Sequence, residues 1–544
     1  MTGYDAMAQV LAAEGVTFLS AFPLQNLIES SAKIGIRPVI CRQERTGVNI
    51  ADGYARVTNG TGLGVFTMQY GPGAENAFAG VAQAYADSVP MLHLAGGSPG
   101  SRQGVAPTFD PVRAYRSVTK WAAQIRTAGD VPAMMRRALG QLRNGRRGPV
   151  LLEMVHDAMG QDYPGDRVHY TPVRGHRSAA ASEDVRDLIA ALIAARNPIV
   201  VAGQGVLYGE ATAELVAFAE LAQIPVMTTL AGKSAFPENH ALALGTGGLT
   251  RTLMVSRFLA EADLIVGIGT SFTINTFTTP MPAGTTKAQV TNCGEDIGKD
   301  YPVALGAVGD AAPVLEQMSE EYRRQDGPRA RGDGNGAATR VAAVAEEFSR
   351  QWEPHLSSDE VPISPYRVIR ELEQAFGTAD TIITHDSGYP RDQLVPMWKS
   401  VAPRGYIGWG KSTQLGYGLG LAIGAKLAAP EKQLINLMGE AAFGMSGLDV
   451  ETAVRSEIPI LTVVLNNGVM TKYDSHMPEA SERYGSNRLG GNYAAVGAAL
   501  GAHAERVSDP GELAAALRRA QAANRDGRPA LVEVMSKVEP QVST

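Results

Sequence analysis

Short runs of consecutive apolar residues recur along the chain, each followed by a stretch with helical spacing. They are LGVFTM (63–68), PVLLEM (149–154), PIVVAG (198–203), LIVGIG (264–269), TIITHD (381–386), LINLMG (434–439), ILTVVLNN (460–467) and ALVEVM (530–535). Runs that are apolar throughout, rather than alternating, suit strands buried on both faces, as in parallel sheets covered by helices. The pattern therefore predicts an α/β protein built of mostly parallel sheets flanked by helices.

Two polar stretches, DYPGDRVHYTPVRGHRSAAAS (162–182) and EEYRRQDGPRARGDGNGAATR (320–340), offer little to bury and are expected to be linkers. They divide the chain into 1–165, 183–322 and 360–544, units of roughly 140 to 190 residues, each suited to one domain. A weak repeat joins the outer units. MRRALGQLRNGRRGPVLLEM (135–154) is matched by LRRAQAANRDGRPALVEVM (517–535), a basic-flanked helix, a Gly/Arg turn, a proline and a buried strand. Either the first and third domains are related, with a different one between them, or the likeness reflects only common αβ turn chemistry.

Composition narrows the function classes. At 544 residues the chain exceeds a single hydrophobic core. A net charge of −6 gives no footprint for nucleic acid, and no cationic run suggests a membrane surface. Cys41 and Cys293 are the only two cysteines, too few for a disulfide framework, which suits a reducing compartment. The opening segment MTGYDAMAQVLAAEGVTFLSAFP lacks the charge and apolar pattern of a secretory signal, and no window is apolar enough to span a bilayer. A cytoplasmic protein is expected. Many of the 60 glycines end apolar runs, where a parallel α/β fold turns and brings backbone close to ligands.

The richest segment is INLMGEAAFGMSGLDVETAVRSEIPILTVVLNNGVM (435–470), which reads strand, glycine turn, helix beginning after Ser446, strand, then Asn-Asn-Gly. Gly439, Ala441 and Ala442 leave backbone N–H groups open near a helix start, a setting that suits a diphosphate. The carboxylate of Glu440 and the amide oxygen of Asn467 are hard ligands of the kind magnesium prefers.

This segment resembles the signature of thiamine-diphosphate enzymes: Gly-Asp-Gly, about 25 to 30 residues, then Asn-Asn. Glu440 stands for the usual Asp and Ala441 for the second Gly, changes expected to lengthen the acidic arm and restrict the backbone. The resemblance implies metal ligation by Glu440, Asn467 and Val469, and phosphate contact at Gly439, Ala441 and Ala442.

Other segments extend the resemblance over nearly the whole chain, in the order pyrimidine-binding, central and diphosphate-binding domain. CRQERTGVNIADGYARVTNGTGLGVF (41–66) is similar to the region that supplies the proton-transfer glutamate, here Glu44. Its charge-assisted hydrogen bond to the aminopyrimidine would favour the imino form that removes the thiazolium proton. MQYGPGAENAFAGVAQAYADSVPML (68–92) matches the Gly-Pro-Gly-x-x-Asn turn, so Gly71, Gly73 and Asn76 would wall the pyrimidine ring. In GWGKSTQLGYGLGLAIGAKLA (408–428), the Thr413 carbonyl would accept from the 4′-amino group, and Leu415 would wedge between the rings.

TKWA (119–122) and TTLAGKSAFPENHALALGTGG (228–248) place the chain in the acetolactate-synthase-like group. The implied reaction is cleavage or formation of a carbon–carbon bond on a 2-oxo acid, by decarboxylation with or without carboligation. Lysis of a 2-hydroxyacyl-CoA or a diketone is the chemical alternative, and a family member without turnover, acting as a regulatory or assembly partner, is the non-enzymatic one. Substrate candidates are Phe109, Tyr389, Lys411, Lys472 and Tyr473. His385 could move protons or be a structural residue. No Asp-Asp-Arg follows GIGTSFT (267–273), so FAD or ADP in the central domain stays open. The family shares each cofactor between two chains, implying a homodimer at least and commonly a homotetramer.

Overall fold

The computed structural model describes residues 1–544 and contains three six-stranded sheets. The first holds β1 (Phe18–Phe22), β2 (Arg37–Ile40), β3 (Gly64–Met68), β4 (Met91–Gly97), β5 (Trp121–Ile125) and β6 (Val150–Val155). The central sheet holds β7 (Pro198–Ala202), β8 (Val226–Thr229), β9 (Ala243–Gly247), β10 (Leu264–Ile268), β11 (Thr286–Thr291) and β12 (Leu305–Val308). The third holds β13 (Thr381–His385), β14 (Tyr406–Ile407), β15 (Gln433–Gly439), β16 (Leu461–Asn466), β17 (His503–Val507) and β18 (Ala530–Met535). Pairing within all three is parallel. Each continuous apolar run of the sequence forms a strand, because helices cover both faces.

The outer sheets share one topology. Their orders are β2-β1-β3-β4-β6-β5 and β14-β13-β15-β16-β18-β17, the same path counted within each sheet. The repeated segments end in β6 and β18, which occupy equivalent places. The central sheet runs β12-β11-β10-β7-β8-β9, a doubly wound order of a different kind.

Residues 320–340 correct an expectation. Instead of a linker, much of this stretch is helical, over Ala311–Arg324, Gly327–Arg331 and from Ala337 onward. Tyr322 is fully buried, and the Arg331 guanidinium donates to the carbonyls of Leu192 and Ala195. Arg323, Arg324 and Arg329 do face solvent, and the packing rests on Tyr322 and on Arg331, which caps the end of the helix Ser182–Ala194. Residues 164–181, by contrast, form neither helix nor strand.

One contact positions the first sheet against the third. The helix Glu44–Val57 lies against the helix Gly418–Ala428 with backbones almost touching. A Cβ at Gly53 would sit 2.3 Å from the Leu421 carbonyl oxygen, and one at Gly424 would sit 1.9 Å from that of Ile50. Only glycine permits that approach. No helix is long and apolar enough to cross a membrane.

Candidate active site

Strands β13 and β15 are neighbours, while their connections run to opposite sides of the sheet, so a crevice opens beyond their carboxyl ends. Ligands of open α/β sheets bind at such switch points. A cleft of about 450 Å³ lies there, lined by residues after β13, β15 and β16, and by Leu249 and Phe277 of the central region.

The floor of the cleft is a helix start. The helix runs Glu440–Ser446 directly from the end of β15, earlier than the sequence pattern suggested. Ala441 therefore has a helical backbone, and the loss of glycine there introduces no strain. Glu440 is 5% exposed. Its Oε1 accepts from the amides of Asn467 (3.1 Å) and Gly468 (2.7 Å). The longer side chain thus bridges β15 to the turn after β16. Burial raises the Glu440 pKa, opposed by these amide hydrogen bonds. Asn467 Oδ1 accepts from the Val469 amide at 3.1 Å, and its Nδ2 donates to Thr471 Oγ1 at 3.0 Å.

Thr413 and Leu415 line the opposite wall, on the segment entering the helix Gly418–Ala428. Asp386, one residue beyond β13, holds that segment. Its carboxylate accepts from the amides of Ser387 (2.8 Å), Gly416 (2.9 Å) and Gly418 (2.9 Å). Burial pushes the Asp386 carboxyl up to about 6. At the mouth, Lys472 Nζ lies 5.6 Å from the centre of the Tyr389 ring, close enough for a cation–π contact. Lys472 has φ +66°, an unusual conformation for a residue with a side chain. Tyr473 follows it, half exposed.

The first-domain candidates form a separate cluster that does not line this cleft. Glu44 opens its helix, 4% exposed, and accepts from Asn76 Nδ2 at 3.2 Å. Asn76 sits in the first turns of the helix Pro72–Ala86, entered through Gly71 at φ +60°, which favours glycine there. Gly73 is buried in the same turn, where an added Cβ would crowd Gln69 Cγ at 3.0 Å. Phe109 packs against the core shared with these elements. One chain thus carries a diphosphate-type crevice and, elsewhere, a buried glutamate with a partner amide.

Comparison with known proteins decides the family. A thiamine pyrophosphate enzyme N-terminal TPP binding domain matches residues 1–123, the central domain 185–318 and the C-terminal TPP binding domain 386–534. The acetolactate synthase large subunit of Mycobacterium tuberculosis is 30% identical, over 96% of this chain and 93% of that protein. This chain belongs to the thiamine-diphosphate-dependent, acetolactate-synthase-like enzyme family.

Other relatives widen the range of named activities. A probable acetolactate synthase large subunit of Methanococcus aeolicus is 28% identical over 96% of this chain and 90% of its own length. A glyoxylate carboligase of Escherichia coli O157:H7 is 28% identical over 98% and 93%. The chain itself is accordingly a thiamine-diphosphate-dependent enzyme.

Among the residues singled out from sequence, Tyr389, Thr413, Leu415, Gly439, Glu440, Ala441, Ala442, Asn467, Val469, Lys472 and Tyr473 share the cleft. Lys411 does not. It lines two smaller cavities, of about 110 and 60 Å³, against the central sheet. Its Nζ donates to Ser271 Oγ at 3.0 Å, and burial, with Arg146 nearby, lowers its pKa to about 8. The glycines there serve packing: a Cβ at Gly203 would lie 2.3 Å from the Gly269 carbonyl oxygen.

His385 is structural. It is fully buried, stacks 5.3 Å from Tyr406, and burial lowers its pKa to about 3, which keeps the ring neutral. Sequence reasoning missed Asp386 and Arg391. The Arg391 guanidinium stacks 4.4 Å from the Trp409 ring and 5.2 Å from that of Phe277, joining the third domain to the central one. An aspartate directly after a buried strand was the available signal for Asp386. Arg391 gave none.

Proposed function

We propose that the protein decarboxylates a 2-oxo acid, and releases or transfers the remaining fragment to a second carbonyl, at a site shared by two copies of the chain. The carrying observation is the division of parts: the cleft holds Glu440, Asn467, Thr413 and Leu415, while Glu44 and Asn76 cluster outside it on the same chain. A second copy supplying Glu44 completes each site, making a homodimer the minimum and a homotetramer the expected assembly.

In this reading the amides at the start of the Glu440–Ser446 helix receive the diphosphate. Magnesium would be held by oxygens of Glu440, Asn467 and the Val469 carbonyl, a hard donor set that suits it. No cluster of three or more His, Cys, Asp or Glu offers a metal site of another kind. Leu415 would pack against the cofactor rings, and the Thr413 carbonyl would accept a hydrogen bond from the amino group. When bound, thiamine diphosphate supplies a carbon nucleophile and an electron sink. The buried Glu44 carboxylate would accept or share a proton at a ring nitrogen of the cofactor. Lys472, with Tyr389 and Tyr473, receives the substrate carboxylate at the mouth.

Hybrid complementation tests the arrangement. Glu44→Gln and Glu440→Ala variants are prepared separately and mixed under conditions that exchange subunits. Each hybrid dimer then carries one doubly defective and one intact site, so activity should return toward a quarter of wild type in an equal mixture. Inactivity after verified exchange would overturn the shared site. Product analysis with pyruvate, glyoxylate, benzoylformate and an acyl-CoA panel identifies the reaction.

A further inference from the structure

Two helices of the first domain reach the third domain of the same chain with their far ends. The helix Pro72–Ala86 carries Asn76 near its start and Gln83 near its end, with Asp87 as the following cap. Gln83 is fully buried and Asp87 is 2% exposed. The Asp87 carboxylate accepts from the amides of Gly410 (3.0 Å) and Lys411 (3.0 Å). It also accepts from Arg56 at 3.0 Å and from Gln83 Nε2 at 3.3 Å. Gln83 Oε1 accepts from the Gln414 amide at 3.4 Å. Arg56, in the last turn of the Glu44 helix, donates to the Gly408 carbonyl at 2.8 Å.

The backbone is therefore held at 408, 410, 411 and 414 from one side. From the other side the central domain presses: a Cβ at Gly410 would sit 2.4 Å from that of Ala231. Asp386 fixes 416 and 418. The residues of this stretch that face the cleft are Thr413 and Leu415. Buried carboxylate acceptors receiving backbone N–H groups are among the stronger hydrogen bonds available. Such anchoring gives a binding wall its shape before the ligand arrives.

We propose that Gln83 and Asp87 are positioning residues for the cofactor, setting the Gly410–Leu415 wall of their own chain's cleft. The inference rests on the shared-site reading above, and adds that each of these helices serves two sites. Its start, with Glu44 or Asn76, belongs to the site completed by the partner. Its end braces the wall of the chain's own site, with Asp87 about 16 Å along the Pro72–Ala86 helix from Asn76.

The test uses full-length Asp87→Ala, Asp87→Asn and Gln83→Met. Hydrogen–deuterium exchange of residues 408–416 is measured without cofactor, and thiamine diphosphate affinity is titrated with magnesium. Asp87→Ala should speed exchange in that segment at least tenfold and weaken cofactor binding at least tenfold. Asp87→Asn, which keeps one acceptor oxygen, should fall between it and wild type. Faster exchange across all three sheets, or wild-type affinity in a folded Asp87→Ala protein, would overturn the proposal. If Asp87→Ala does not fold, Gln83→Met decides by the same two readings. A wild-type chain that ignores thiamine diphosphate would sink the functional reading, whereas unchanged exchange at 408–416 would sink the clasp.

Discussion

Glu440 Oε1 lies 2.7 Å from the amide nitrogen of Gly468, so a side chain at the end of one strand closes the turn after the next. An aspartate at this position would be a methylene shorter. Glu440→Asp is therefore expected to lose the hydrogen bonds to residues 467 and 468 while keeping a carboxylate for metal. Thiamine diphosphate binding at saturating magnesium should weaken about three- to tenfold, and Glu440→Ala should weaken it about a hundredfold, since hydrogen bonds to charged groups contribute roughly 1.5–3 kcal/mol. Titration followed by intrinsic fluorescence reads both. Equal affinity for Glu440→Ala and wild type would remove Glu440 from the metal site.

Ala441 provides an independent check on the same turn. Its backbone is helical, so restoring the family glycine relieves nothing. Ala441→Gly should leave cofactor affinity within about twofold, and lower stability by roughly 0.5–1 kcal/mol through added chain freedom. A marked gain in affinity would mean that the methyl group crowds the phosphate after all.

Glu44 is buried with one side-chain partner, Asn76. Glu44→Gln preserves size and a hydrogen-bonding oxygen while removing the charge. Cofactor affinity should stay within a few-fold, while C2–H exchange of bound cofactor, read by proton NMR after acid quench, should slow about 10²–10⁴-fold. Normal exchange would end the catalytic assignment.

The strands were legible because they are buried on both faces, which leaves uninterrupted apolar runs such as LINLMG and ALVEVM. Strands with a polar or mixed face, among them Arg37–Ile40 and His503–Val507, left no such run. Glu440 and Asn467 were legible because a spacing of 27 spans one strand–helix–strand unit and puts them just beyond the ends of the adjacent strands β15 and β16. Lys411 was misplaced by the same kind of reasoning. It follows Gly410, whose backbone is gripped by Asp87, and that grip turns its side chain toward the central domain, opposite to the cleft that Thr413 faces. Asp386, Gln83 and Asp87 act on backbone amides distant in sequence, and such partners leave no local pattern to read.

Asp386 gives a pH signature with two opposite parts. Its folded pKa of about 6 lies above its ordinary 3.8, so the folded chain takes up the proton first. By linkage, this group makes stability fall as pH rises from about 4 to about 6. The ionised carboxylate is nevertheless the better acceptor for the three amides it receives, so cofactor affinity should drop as pH falls below about 6. Asp386→Asn should remove both slopes. Melting and cofactor titration at pH 5 and 7.5 measure them, and an Asn variant with wild-type slopes in both would assign the effect elsewhere.

The two lysines separate cleft from central cavity. Lys472 stands at the mouth of the cleft against Tyr389, while Lys411 is buried beside Ser271. If Lys472 receives a substrate carboxylate, Lys472→Ala should raise KM for an anionic 2-oxo acid about tenfold, with a smaller change in kcat, because the contact is made in ground and transition states alike. The KM change should shrink as salt is added, since the lysine is exposed and its charge is screened. Lys411→Ala should leave that KM unchanged and act only on stability: with a pKa lowered by burial to about 8 from an ordinary 10.5, the charged amine costs stability below pH 8, so the variant should compare most favourably with wild type there and lose that advantage as pH rises toward 10.5. A KM effect from Lys411 and none from Lys472 would move substrate binding out of the cleft and toward the central domain.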